Sequence, residues 1–173
     1  MRPALGVVLE LVALTAVVGF VGSFPVEGMV GVILLLLAQA ATTFLIHCPA
    51  HFVVGSLLGM KFRRISLGQT TIMSALPSSL KPLGRLLPIP YLSVNRVSIK
   101  RASPRRLKVM YLSGVVASVG SGLAFAAFVT LKGNSLASIV TWIFAIAYLS
   151  SDAVGSPKTG DVMRARRVQS SAA

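Results

Sequence analysis

The apolar residues of this chain are gathered into long uninterrupted blocks, and that fixes the solvent in which it folds. The blocks cover about 4–24, 29–60, 109–131 and 136–149. A helix rises about 1.5 Å per residue, so about 20 apolar residues cross a hydrocarbon core of about 30 Å. The pattern predicts an all-α membrane protein with about four transmembrane helices. Composition agrees: 54% of residues are hydrophobic and 12% charged, against about 25% charged in a soluble domain. These values argue against a soluble enzyme and against disorder. The 173 residues suit one multi-pass membrane domain over 1–167, followed by a short polar tail, 168–173, read as disordered. Arg2, the first apolar block and Val21-Gly22-Ser23 also resemble a signal peptide, but the length of the block and Glu10 within it favour a retained span.

Charge then sets the expected orientation. Lys and Arg number 17 against 4 Asp and Glu, a formal net charge of +13. Eleven of the basic residues lie between Lys61 and Lys108, a stretch without acids. Lys158, Arg164, Arg166 and Arg167 lie in the tail, and Arg2 precedes the first block. With four spans, all of these share one face and only Lys132 lies opposite. The positive-inside rule makes the basic face, with both termini, cytoplasmic. Segment 61–108 is broken by Pro82, Pro88, Pro90 and Pro104. Within it, Arg63 to Gly68 and Tyr91 to Ile99 predict short strands, so a small β-containing piece at the membrane surface is expected between the second and third spans. The expected partners are the lipid bilayer, anionic lipid head groups and a transmembrane protein partner or substrate. No basic motif interleaved with aromatics is present, and nucleic acid is not an expected partner.

Ionisable residues inside spans are costly and direct attention to function. Here they are Glu10, His47 and His51. The two histidines are four apart, so a helix carries both on one face, one turn apart, the spacing at which two imidazoles bind one zinc ion. The competing reading is two neutral histidines bonded to neighbouring helices. A hydrolytic zinc site needs a third ligand, usually a carboxylate. Glu27 sits in a turn on the far face. Asp152 and Asp161 follow the fourth span, and Asp161 reaches the histidines only if the chain after Leu149 folds back into the bundle; otherwise it is a solvated tail acid. Pro49 lacks an N–H and should bend the second span near the histidines. Glu10 is either a bland buried acid or a carboxylate that completes the site from the first span. The small residues Gly114, Ala117, Ser118, Gly120, Ser121 and Gly122 permit close helix approach in the third span.

These residues resemble the site-2 protease family of intramembrane zinc metalloproteases. His47-Cys48-Pro49-Ala50-His51 resembles the family's HExxH, and Gly59 with Arg64-Ile65-Ser66-Leu67-Gly68 resembles the helix end and strand that follow it. Ser103-Pro104-Arg105-Arg106 leads into Leu112-Ser113-Gly114, where Val115 and Ser118 stand in place of the family's Pro and Asn. Asp152 through Pro157 to Asp161 resembles its last motif, with Gly160 before the Asp instead of after it. The resemblance covers about 30–167. It implies His47, His51 and Asp161 as zinc ligands. Cys48 stands where the family has its general-base Glu. It is read as a small packing residue, an additional ligand or a substitute base. The resemblance therefore implies a scaffold that lacks or is impaired in proteolysis and binds a membrane partner or substrate helix. An active zinc endopeptidase with an unusual base, and a small membrane transport or assembly subunit, are the alternatives.

Overall fold

A computed structural model describes residues 2–23, 28–67 and 90–170. The chain is mostly helical, with one small sheet. Three helical stretches are long and apolar enough to cross a membrane: Pro3–Ser23, Gly28–Leu57 and Pro104–Leu131. A further apolar stretch, Ser135–Ser151, is shorter.

Helix α1 (Pro3–Ser23) is apolar on every side. Leu5, Val8, Leu9, Val12, Val18 and Phe20 face outwards, as lipid and not water requires. The second block forms two helices, α2 (Gly28–Leu45) and α3 (His47–Leu57), which break at Ile46. Pro49 accounts for the position of the break. It has no N–H to give the Leu45 carbonyl four residues back, and its ring crowds that carbonyl. On either side the helical pattern continues, from the Ile46 N–H to the Thr42 carbonyl at 3.2 Å and from the Ala50 N–H to the Ile46 carbonyl at 3.1 Å. Gly59, at φ 80°, ends α3. The Met60 N–H reaches the Gly55 carbonyl and the Gly59 N–H the Ser56 carbonyl, both at 2.9 Å, a Schellman turn that only a left-handed residue closes cheaply.

That turn delivers β1 (Phe62–Leu67), which pairs antiparallel with β2 (Pro90–Val94). Ile65 faces Leu92 and Phe62 faces Val94, with a bulge between Phe62 and Arg64. The second strand is shorter than its β-branched pattern predicts. Asn95 stops it, because its side chain accepts the Val97 N–H at 2.9 Å and caps α4 (Arg96–Arg101). Arg96 to Ile99, read as strand from the sequence, are therefore helical. Ser103 and Pro104 occupy the cap and first positions of α5 (Pro104–Leu131), which begins ahead of the apolar block and carries Arg105, Arg106 and Lys108 in its first turns. Gly133, at φ 81°, turns the chain, and Asn134 Oδ1 accepts the Ala137 N–H at 2.9 Å to cap α6 (Ser135–Thr159). This helix continues ten residues past Leu149. Only at Gly160 does the chain fold back into α7 (Asp161–Ser170), which is helical beyond Arg167.

One core joins α1, α2, α5 and α6 through Val21, Val32, Leu35, Phe125, Val129 and Ala137. Gln39, fully buried, ties three of these helices together. Its Nε2 donates to the Gly122 carbonyl at 3.0 Å and the Thr141 carbonyl at 3.1 Å. A second core of Met60, Leu107 and Met110 seats the sheet and α4 against α3 and α5.

Candidate metal centre

The 3.6-residue repeat of α3 brings His47 and His51 to one face, their ring centroids 4.7 Å apart and nearly perpendicular. The fold-back at Gly160 places Asp161, first residue of α7, against both. His47 Nε2 and His51 Nε2 are 3.1 Å apart, and each is 3.1 Å from Asp161 Oδ2. The three donor atoms thus form a triangle with equal edges. Two imidazole nitrogens and one carboxylate oxygen within 4.8 Å of one another are donor types that suit a zinc ion. Tetrahedral zinc with bonds of about 2.0–2.1 Å holds its donors about 3.3–3.4 Å apart. The observed triangle needs to open by only a few tenths of an ångström.

The groups behind the histidines aim them. His51 Nδ1 donates to the Met110 carbonyl at 2.7 Å. A carbonyl only accepts, so Nδ1 carries a proton, and Nε2 is the ring nitrogen turned to the site. His47 Nδ1 shares a 3.0 Å hydrogen bond with Ser118 Oγ. Gly114 lies flat against the His51 ring: a Cβ built there would overlap Nε2, Cε1 and Cδ2. Arg164 Nη1 stands 3.5 Å from the other Asp161 oxygen, Oδ1. Burial alone would raise the Asp161 pKa, but hydrogen bonds from the two histidines outweigh it and hold the carboxyl below the usual carboxylate range. It stays ionised, the state in which a carboxylate binds a metal.

The structure brings together His47, His51 and Asp161, all read from the sequence. Cys48 is buried next to His47 but is not one of the three donors. Glu10 is buried in α1. Glu27 and the side chain of Asp152 lie outside what the structure describes. Sequence reasoning missed Ser118, Arg164 and the Met110 carbonyl as supports of the site. Ser118 had a signal: it lies one turn beyond Gly114 and so shares its face of α5. The Met110 carbonyl had none, being backbone. Compared with family models, curated proteins and solved structures, the chain matches none of them.

Proposed function

We propose that this chain is an integral membrane protein with a zinc centre of the site-2 protease type, held by His47, His51 and Asp161. The observation that carries this reading is the donor triangle with its tautomer-fixing bond from His51 Nδ1 to the Met110 carbonyl. Two imidazole nitrogens and a carboxylate oxygen 3.1 Å from one another are held by a cation or a shared proton among them. When bound, zinc would act as a Lewis acid towards a carbonyl or water. The chain's own part is to hold the two imidazoles and the carboxylate together, with Gly114 leaving the His51 ring its place against α5. The reaction class that fits is hydrolysis of a peptide bond in a membrane-embedded segment, impaired because position 48 carries a thiol where a neighbouring carboxylate base belongs.

The same reading has four crossings, with α6 as the fourth, and places both termini and the basic segment on the cytoplasmic face. Basic side chains on α4, α5 and α7 then lie at the level of anionic head groups, and a transmembrane helix is the partner class. The test is zinc content of the detergent-purified protein beside Asp161→Ala and His47→Ala/His51→Ala. About one zinc per chain, lost in both variants, is expected. A native protein that takes up no supplied zinc would leave the triangle as a proton-sharing His–Asp cluster and the chain as a binding scaffold or a membrane subunit of another class.

A further inference from the structure

Helix α7 supplies Asp161 to the triangle, yet its apolar footing is small. It packs against α5 and α6. Of its side chains that the structure describes, only Ala165 is buried, while Val162 and Met163 are half-buried and Arg164 and Arg166 are exposed. The helix beneath it is charged in the same sense, since Arg105 and Arg106, in the first turn of α5, are exposed too. Asp161 is the only acid of α4, α5 and α7. Both its oxygens are engaged, Oδ2 at 3.1 Å from each histidine and Oδ1 at 3.5 Å from Arg164. Docking α7 therefore brings positive charge onto positive charge, and anionic groups from outside these elements would offset the repulsion. The start of α5 also seats α4. Ile99 and Ala102 pack on the core of Met60, Leu107 and Met110, which leaves Val97 55% exposed beside the exposed Lys100 and Arg101. An exposed valine among cations suits the boundary of a bilayer, where apolar groups enter and cations stay with the phosphates. An acidic protein matches only the charge.

We propose that α4, the first turn of α5 and α7 together bind an anionic lipid surface, and that this binding holds α7 docked and so keeps Asp161 at the histidines. The surface rests on the membrane reading above, and its effect on the site rests on the metal-centre reading. A ligand shifts an equilibrium only if it favours one of the two states. Here the repulsion between the arginines of α7 and those of α5 exists only while α7 is docked. Headgroup phosphates at that face offset it, so anionic lipid favours the docked state over the undocked one. By linkage, an anionic membrane then tightens zinc binding, and zinc strengthens the hold of α7 on α5.

The experiment places the full chain in nanodiscs of phosphatidylcholine, alone or mixed with phosphatidylglycerol, beside the variant Arg105→Gln/Arg106→Gln/Arg166→Gln. Two quantities are read: amide hydrogen exchange of α7 without zinc, and the Kd for zinc. An arginine at an anionic surface is favoured by about fivefold. In the anionic membrane the native chain should therefore show α7 exchange slowed, and zinc bound more tightly, by about fivefold or more. In about 1 M salt, where the Debye length is about 3 Å, the difference between the two membranes should vanish. The variant should lack the gain at any salt. It meets the same local pH and zinc concentration at the anionic surface, so a gain that it keeps in full belongs to the surface alone and overturns the proposal. Equal α7 exchange of the native chain in the two membranes also overturns it, and leaves the basic face to orientation or to an acidic protein. Slowed exchange with no zinc taken up in either membrane supports the hold on α7 and removes the metal centre.

Discussion

Gly114 has no side chain because the His51 ring occupies the place where one would stand. Gly114→Ala therefore sets a methyl group against the imidazole, with backbone on one side and ligand on the other. His51 must move, and its bond to the Met110 carbonyl breaks with it. Zinc affinity should drop by at least the 10–100-fold typical of losing a group that orients a ligand. Gly120→Ala is the control, since a Cβ there meets nothing within 4 Å, and it should bind zinc as the native protein does. Ser118→Ala tests the other histidine: it removes the partner of His47 Nδ1 without adding volume, and affinity should fall by about 10–100-fold. Zinc titration in detergent reads all three variants. The pairing of His47 with His51 was legible because two histidines four apart in an apolar block state a face and a spacing. Asp161 was legible only as a condition, since its place depends on where the chain folds back. The groups that orient the ligands belong to α5, and sequence spacing on α3 says nothing about a partner 59 or 71 positions away.

Among the elements, the helix ends hold the information that hydropathy lacks. Lys132, the one basic residue expected on the far face, has a structural reason to be there. Its Nζ donates to the Val21 and Gly22 carbonyls at 2.9 and 2.8 Å, closing the last turn of α1, where unpaired carbonyls and the negative end of the helix dipole favour a cation. Lys132→Met should lower stability by about 1–2 kcal/mol, since bonds from a charged donor contribute about 1.5–3 kcal/mol and part of this site is open to solvent. Thermal or denaturant unfolding in detergent measures it. The break at Ile46 was legible, because Pro49 removes one specific donor. The end of β2 was misread although its signal was present. β-branched residues continue to Ile99, but Asn95 offers the Val97 N–H a closer partner than a strand would, and a cap overrides a propensity. The length of α6 was hidden because its last turns are polar, and hydropathy registers the solvent around a helix, not its hydrogen bonds.

At the scale of the whole molecule, α5 and α6 close a circuit that bears on topology. His51 is bonded to Met110, two residues past Lys108 on α5. From there α5 continues to Leu131, about 32 Å at about 1.5 Å per residue. Helix α6 starts again just beyond Gly133, and its far end returns Asp161 to 3.1 Å from His51. It runs back along the length of α5 below Met110, so if α5 crosses a membrane there, α6 is the fourth crossing of the proposed topology. Its apolar part is the shorter stretch Ser135–Ser151, and its polar last turns reach the level of the basic residues at the start of α5. Both termini should then share a face, with the Lys132 turn opposite. Single cysteines at Arg2, Arg105, Ser135 and Arg166, all exposed positions, in a Cys48→Ser background would read this with a membrane-impermeant maleimide on intact cells. Ser135→Cys should label at once, and the other three only after permeabilisation. If Arg166→Cys labels together with Ser135→Cys, α6 does not cross, Asp161 lies on the far side from the basic start of α5, and the triangle with His47 and His51 cannot exist in the membrane.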